Sequence, residues 1–146
     1  MKKVYIIGLG IGNSDYMHKK ALDTIKACDC LIGAKRMLKS FQDLNKPAYE
    51  CSNAENIRDY INNSNYTAYG ILVSGDSGFY SLSKKITELL MQKDNMHIEN
   101  IPAVSSLQYF ASSLNLPWDN IKYVSAHGRS LNIISAVIFN KKTFIL

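Results

Sequence analysis

Residues 4–13 read V-Y-I-I-G-L-G-I-G-N, and this segment carries the clearest signal of the fold class. Its first four residues form an uninterrupted apolar run, which is typical of a strand buried on both faces of a parallel sheet. Three glycines follow at alternating positions, and apolar residues then recur at helical spacing through residues 17–28. A buried strand, a glycine-rich turn and a helix in this order predict an α/β unit.

The remaining sequence repeats this alternation of short apolar strands and helices. Further strands are predicted at residues 30–32, 48–50, 67–73, 96–101, 121–125 and 143–146. Further helices are predicted at residues 36–41, 80–91, 105–114 and 131–139, with another that Ser52 or Asn53 caps and that runs to Ile61. We therefore expect an α/β fold, with a parallel sheet flanked by helices and followed by an incomplete second α/β domain.

The turn N-L-P-W-D at residues 115–119 is the predicted junction of two domains. Residues 1–118 form the amino-terminal domain, and residues 119–146 begin the second. Because the chain stops within the apolar run T-F-I-L, we expect this second domain to be truncated. An unfinished sheet leaves an open edge that pairs readily with another chain, so a homo-oligomer such as a dimer is expected.

Composition excludes several classes of protein. The chain has 146 residues, of which 47% are apolar and 20% charged, and no apolar run approaches the ~18 residues that span a bilayer. The amino terminus lacks the long apolar segment of a signal peptide, which predicts a cytoplasmic protein without a membrane partner. The net charge of +5 is scattered rather than gathered in a basic stripe, so we expect polycarboxylate rather than nucleic-acid binding.

The three cysteines do not form a recognisable metal site. Cys28 and Cys30 are close in sequence, but no histidine or further cysteine stands near enough to complete a ligand set. Cys51 is the third, and an odd number of cysteines does not fit a disulfide framework. We expect free thiols and no bound metal.

The glycine turn after the first strand is where a parallel sheet accepts nucleotide-like ligands. A dinucleotide-binding loop would have glycine at position 13, where this chain has Asn13, and an acidic residue near Gly33, where it has none. These differences disfavour a nicotinamide cofactor. A tight turn that binds no ligand remains an alternative.

The strongest chemical signal is S-G-D-S-G-F-Y at residues 74–80, directly after a strand predicted to be central. Two glycines flank Asp76, leaving room for a ligand beside the backbone, and its carboxylate suits a cation or ligand hydroxyls. The alternative is that Asp76 or Ser77 only caps the following helix.

Two further polar segments stand at the ends of predicted strands. Ser105 and Ser106 open a helix and could hold a carboxylate, although a plain helix cap is the alternative. His127 and Arg129 place two anion-binding side chains in one loop, which could equally be solvated surface.

Together, these segments resemble the tetrapyrrole (corrin/porphyrin) methylase family over the whole chain. I-I-G-L-G-I-G-N at residues 6–13 is similar to its opening glycine loop, although Ile11 replaces the proline of many members. G-D-S-G-F-Y at residues 75–80 is similar to its G-D-P-x-x-Y loop, and I-P-A-V-S-S-L-Q-Y-F-A at residues 101–111 to its third cofactor segment. Within the family, the chain is most similar to members that methylate cobalt-precorrins in cobalamin biosynthesis. Three segments carry this similarity, namely V-S-G-D-S-G-F-Y-S, L-N-L-P-W-D and S-A-H-G-R.

The resemblance implies that S-adenosyl-L-methionine is held between two α/β domains and that its methyl group passes to a ring carbon of a tetrapyrrole. The cofactor-binding residues carried over from it are Gly10, Gly75, Asp76, Ser77, Tyr80, Ser105 and Ser106. His127 and Arg129 are expected to bind substrate carboxylates. No catalytic residue is expected, because the macrocycle supplies an electron-rich carbon, and protein positioning supplies the rest.

Two alternative functions remain open from the sequence. One is another nucleotide-binding α/β protein, such as an NAD-type oxidoreductase. The other is a binding fragment without catalytic activity, because the family's second domain closes over the cofactor and only its start is present. For the same reason we expect the chain to be inactive by itself.

Overall fold

The computed structural model describes residues 1–91, 95–126 and 132–146. The chain forms two compact units, Met1–Ser105 and Ser106–Leu146. The domain boundary expected after residue 118 falls inside the second of these units and stays a prediction. None of the helices in the described ranges has the length and hydropathy that crossing a bilayer requires.

The first unit is built on a five-stranded sheet. Its strands are β1 Lys2–Gly8, β2 Cys30–Gly33, β3 Ala48–Glu50, β4 Ala68–Val73 and β5 Met96–Ile101. They lie in the order β3-β2-β4-β1-β5, and every pairing is parallel. The central strand is β4, whose Ile71 is in register with Ile6 on one side and Ile32 on the other. The parallel sheet and the central position of β4 confirm the prediction from the apolar runs.

Helices cover both faces of this sheet, because successive side chains of a strand point to opposite faces. The α-helices in the described residues of the first unit are α1 Lys19–Ala27, α2 Lys35–Lys39, α3 Ala54–Asn63 and α4 Ser83–Leu90, and short 3-10 helices lie at Ser14–Tyr16 and Gln42–Leu44. Ile6 packs in a buried cluster with residues of α3 and α4, whereas its neighbour Ile7 packs with Ala21 and Ile25 of α1. The flanking helices confirm the predicted α/β class.

Two helix starts show how local chemistry sets the boundaries. Asn53 caps α3, as one of the two predicted alternatives, and its side chain accepts a hydrogen bond from Asn56 N at 2.9 Å. The helix predicted from residue 80 begins only at Ser83, because Tyr80 adopts a left-handed backbone (φ +49°) that cannot continue a helix. The N-cap of α4 is Leu82, so the interpretation of Asp76 or Ser77 as its cap is wrong.

The described residues of the second unit form fewer elements. They are α5 Ser106–Ser113, β6 Lys122–Val124, α6 Ile133–Ile138 and β7 Thr143–Ile145. The two strands pair in parallel, with Tyr123 opposite Phe144. The ring of Phe144 lies 5.9 Å from that of Phe110 on α5. These elements fall where the apolar patterns predict them, with slightly shorter bounds.

Candidate functional site

Loops that follow β1 and β4 join at the carboxyl-terminal edge of the first unit's sheet. Gly10 N donates to Gly75 O at 3.1 Å, and Gly75 N donates to Gly10 O at 3.0 Å, which makes an isolated antiparallel bridge. Leu9 N also donates to Val73 O at 3.0 Å. Because β1 and β4 are parallel neighbours, their ends meet at one edge, and the two predicted glycine loops form one structure.

Both glycines of this bridge are required by their backbone geometry. Gly10 has φ +60° and Gly75 has φ +70°, a region that residues with a Cβ adopt at a cost. A Cβ placed on Gly75 would have no heavy atom of the described residues within 4 Å. The space beside this α-carbon is therefore open, and a ligand can approach the backbone there.

Gly8, the last residue of β1, is the first glycine of the predicted glycine turn but is not among the predicted cofactor-binding residues. A Cβ at this position would lie 2.8 Å from Gly75 O and 2.9 Å from the Cβ of Ala103. The absence of a side chain thus lets the loop after β4 and the segment after β5 close over the end of β1. A glycine at the end of a buried strand is the signal that the sequence offers for this close packing. The sequence does not show which residues pack there, because Gly75 and Ala103 are distant from Gly8 along the chain.

The carboxylate of Asp76 connects the loop after β4 with the segment after β5 through hydrogen bonds. Its Oδ1 accepts a hydrogen bond from Gly78 N at 2.8 Å, within the same loop. Its Oδ2 accepts one from Ala103 N at 2.8 Å, after β5. An ionised carboxylate has about four lone-pair sites, so each oxygen retains acceptor capacity for a ligand. The structure therefore gives Asp76 a bridging role that the sequence did not predict.

The two other predicted residues of this loop differ in exposure. Ser77 is buried, and its carbonyl accepts a hydrogen bond from the Ser83 hydroxyl at the start of α4. Tyr80 is exposed, and its ring packs edge-on against Phe79 with 5.0 Å between centroids. Its left-handed φ is unusual for a residue with a Cβ, and such conformations concentrate at functional sites.

The remaining predicted site residues are distributed over the chain. Ser105 is buried at the end of the first unit, two residues after Ala103. Ser106 is the first residue of α5 and belongs to the second unit. His127 and Arg129 lie outside the described residues. The first unit therefore brings together Gly10, Gly75, Asp76, Ser77 and Tyr80 with the segment that leads to Ser105.

The cysteines lie away from these loops, and all three are free. Burial raises the pKa of the Cys28 thiol to about 12, and it also raises the pKa of Cys30. Cys51 is only partly buried. In the parts of the chain that the structure describes, no three His, Cys, Asp or Glu residues are grouped as metal ligands would be.

Comparisons with known proteins place this arrangement in a family. The model of the Tetrapyrrole (Corrin/Porphyrin) Methylases matches residues 3–142. A probable cobalt-precorrin-7 C(5)-methyltransferase of Methanocaldococcus jannaschii is 30% identical over 133 residues, covering 88% of this chain and 62% of the relative. A ribosomal RNA small subunit methyltransferase I of Mycoplasmopsis pulmonis is 30% identical over 136 residues, covering 86% of this chain and 61% of the relative. The chain thus spans less than two thirds of the length of both relatives.

A solved structure supports the fold independently of close sequence similarity. The precorrin-6Y methylase from Archaeoglobus fulgidus matches with a TM-score of 0.70 at 17% identity, covering 99% of this chain and 72% of that one. The five-stranded parallel sheet with helices on both faces is therefore the methylase fold. With the family model matching almost its full length, the chain belongs to the tetrapyrrole (corrin/porphyrin) methylases.

Proposed function

We propose that this protein is an S-adenosyl-L-methionine-dependent methyltransferase that acts on a ring carbon of a cobalt-precorrin in cobalamin biosynthesis. The observation that carries the proposal is the joined edge of the sheet, where the Gly10–Gly75 bridge and the Asp76 carboxylate connect three loops. Open α/β sheets bind ligands at such an edge. Membership of the methylase family supports group transfer, and the name of the M. jannaschii relative supports the substrate class.

The joined loops have the chemistry that this cofactor needs. Gly10 and Gly75 have positive φ, and the space beside Gly75 is open, so a nucleoside can approach the backbone. The free lone pairs of Asp76 suit ribose hydroxyls or an ammonium group. Ser77 and Tyr80 follow in the same loop, and we propose that both line the cofactor site.

The other predicted residues complete the proposed site. Ser105 and Ser106 stand where α5 begins, and we propose that they hold the cofactor's carboxylate. We also propose that His127 and Arg129, a protonatable imidazole and a guanidinium, bind carboxylates of the macrocycle.

The protein's contribution to the reaction would be positioning. When bound, S-adenosyl-L-methionine supplies a methyl group on a positively charged sulfur, ready for transfer to an electron-rich carbon. The loop residues would hold that group in line with the ring carbon and exclude water, which lowers the entropic part of the barrier. A protein nucleophile is not required, so removal of any single hydroxyl of the loops should weaken binding more than it changes the chemistry.

A second substrate class follows from the other relative. The M. pulmonis protein, named for ribosomal RNA, is 30% identical to this chain, as is the cobalt-precorrin relative. Methyl transfer from radiolabelled S-adenosyl-L-methionine to cobalt-precorrins and to small ribosomal subunits separates the two. We expect residues 1–146 by themselves to transfer no label, and a two-domain protein that contains them to label the macrocycle only. Label in RNA alone would overturn the proposed substrate.

Cofactor identity is tested separately by calorimetry. We expect S-adenosylhomocysteine to bind and a nicotinamide dinucleotide to give no heat. Binding of the dinucleotide alone would favour the oxidoreductase alternative and overturn the methyltransferase proposal. Failure of both to bind would favour a fragment that lacks cofactor affinity.

A further inference from the structure

A small cavity of about 110 Å³ lies beside the glycine loop, on the side of α2. Leu9, Met17 and Met37 provide its apolar wall. The rest of the lining is Gly10, Gly12, Arg36, Ser40 and Ser74. Pockets for whole drug-sized ligands occupy ~300–1,000 Å³, so this cavity suits one functional group of a larger molecule.

The charge of the cavity comes from Arg36. Its guanidinium lies close to the glycine loop. A Cβ built on Gly12 would be 3.9 Å from Arg36 Nη1. None of the described residues that line the cavity is acidic. Within residues 1–91, 95–126 and 132–146, no carboxylate forms an ion pair with Arg36. The guanidinium therefore has its donors available for an anion from outside the protein.

The other polar groups of the cavity suit the same kind of ligand. The hydroxyls of Ser40 and Ser74 can donate hydrogen bonds, and Ser74 begins the loop that carries Gly75 and Asp76. Lys35 and Lys39 flank Arg36 on α2, which has no acidic residue in its first turn, so the local potential is positive. A guanidinium fork matches the planar geometry of a carboxylate.

We propose that Arg36, with Ser40 and Ser74, forms a carboxylate-binding subsite at the margin of the proposed cofactor site. The occupant is a carboxylate carried on a short aliphatic arm, which the apolar wall of Leu9, Met17 and Met37 accommodates. Both the amino-acid part of the cofactor and the acidic side chains of a tetrapyrrole have this chemistry. Their identification as ligands rests on the proposed function, whereas the subsite rests on the cavity itself.

The test compares ligands with and without the carboxylate. Dissociation constants are measured for S-adenosylhomocysteine, for 5′-deoxy-5′-methylthioadenosine, which lacks the amino-acid carboxylate, and for uroporphyrin, a polycarboxylate macrocycle. Each is measured with the wild type, Arg36→Gln and the control Lys39→Gln. The control removes the same charge from the same short helix, but Lys39 does not line the cavity.

We expect Arg36→Gln to weaken at least one of the two carboxylate ligands by about tenfold or more, and to leave methylthioadenosine binding within twofold. A loss with S-adenosylhomocysteine assigns the cofactor's single carboxylate to the subsite in place of Ser105 and Ser106. A loss with uroporphyrin assigns a carboxylate of the macrocycle and leaves the proposal for Ser105 and Ser106 unchanged. Arg36→Lys should restore only part of the affinity, because a lysine lacks the planar fork.

Two results would overturn the subsite. One is unchanged affinity of Arg36→Gln for both carboxylate ligands, and the other is an equal loss in Lys39→Gln, which would indicate only a diffuse charge effect. Failure of the proposed function gives a different result from failure of the subsite. In that case the wild type would bind neither S-adenosylhomocysteine nor methylthioadenosine. An Arg36-dependent affinity for uroporphyrin would in that case leave the subsite standing.

Discussion

The two compact units are built from the same alternation of strands and helices, yet the first encloses an extensive core and the described residues of the second bury little. In Met1–Ser105, parallel strands bury side chains on both faces, and Ile6, Ile71 and Leu72 are almost completely inaccessible. In the second unit, two strands pair, and α6 leaves Ile134 and Ile138 73% and 69% exposed. A parallel sheet is stable when helices cover both faces of several strands, whereas two strands are marginal.

The apolar periodicity of a strand or helix therefore does not by itself ensure that its side chains are buried. The second unit's strands and helix occur where their apolar periodicity predicts them, but the described part of that unit buries few large side chains, such as Leu107 and Val124. Regions with few buried contacts open at lower free energy than a domain core. Stability should therefore respond very differently to equivalent changes in the two units.

The largest expected effect compares one isoleucine from each unit. Ile71→Ala removes a fully buried side chain from the central strand and should lower the free energy of unfolding by about 2–5 kcal/mol. Ile134→Ala removes the same atoms from the exposed face of α6 and should change it by less than about 0.5 kcal/mol. Urea denaturation of both variants measures the difference. Equal losses would show that α6 is packed in solution as tightly as the sheet.

The next effect concerns the residue that connects the loops of the first unit. Asp76→Asn retains one acceptor oxygen, so either Gly78 N or Ala103 N loses its partner. We expect a loss of about 1–3 kcal/mol in the free energy of unfolding, together with weaker binding of S-adenosylhomocysteine. Asp23→Asn, on the exposed side of α1, serves as the control and should change neither. Weaker binding with unchanged stability would mean that the carboxylate is not needed to hold the loops together.

The elements of the first unit could be predicted because their signals are local. β3 Ala48–Glu50 and β5 Met96–Ile101 begin and end at the predicted residues, and a proline directly precedes the first and directly follows the second. The start of α4 was predicted three residues too early. The left-handed backbone of Tyr80 depends on the loop around it and leaves no mark in helical periodicity.

The candidate site was predicted as separate loops rather than as one structure. The positions of Gly10, Gly75 and Asp76 after apolar strands indicated ligand-binding loops, but their connections are not local. Asp76 and Ala103 are 27 residues apart in sequence, and their hydrogen bond exists only because β1 lies between β4 and β5. Arg36 and Gly12 are likewise distant in sequence. The fold places α2, the helix that follows β2, beside the glycine loop, and this brings the guanidinium of Arg36 close to Gly12.

A smaller expected effect concerns the rates at which the thiols are modified, which report whether the core of the first unit is intact. Burial raises the pKa of Cys28 to about 12 and also raises that of Cys30, so neither forms much thiolate at pH 8. We expect a thiol reagent to modify Cys51 first, with Cys28 and Cys30 reacting only when the first unit unfolds. Ile71→Ala should accelerate their reaction and Ile134→Ala should not. Rapid labelling of all three thiols in the wild type would contradict the buried core.

The smallest expected effect is a pH dependence of stability in the first unit. Asp29 accepts hydrogen bonds from Thr67 Oγ1 at 2.7 Å, Ala68 N at 2.8 Å and Thr67 N at 3.0 Å, and these hold its pKa below the ordinary value of 3.8. Since the folded-state pKa is the lower one, the stabilisation is present above the unfolded-state pKa and is lost as the pH falls through the folded-state value. Because the carboxylate is exposed to solvent, the contribution should stay below about 1 kcal/mol.

Asp29→Asn cannot titrate at this position, so the free energy of unfolding should fall less steeply with pH below about 4 than in the wild type. Asp23→Asn should retain the wild-type slope. The second unit carries a single acidic residue, Asp119, so amide exchange in β6 and β7, corrected for the intrinsic pH effect, should change little over the same range. A slope unchanged by Asp29→Asn, or acid opening confined to the second unit, would show that these hydrogen bonds do not stabilise the start of β4.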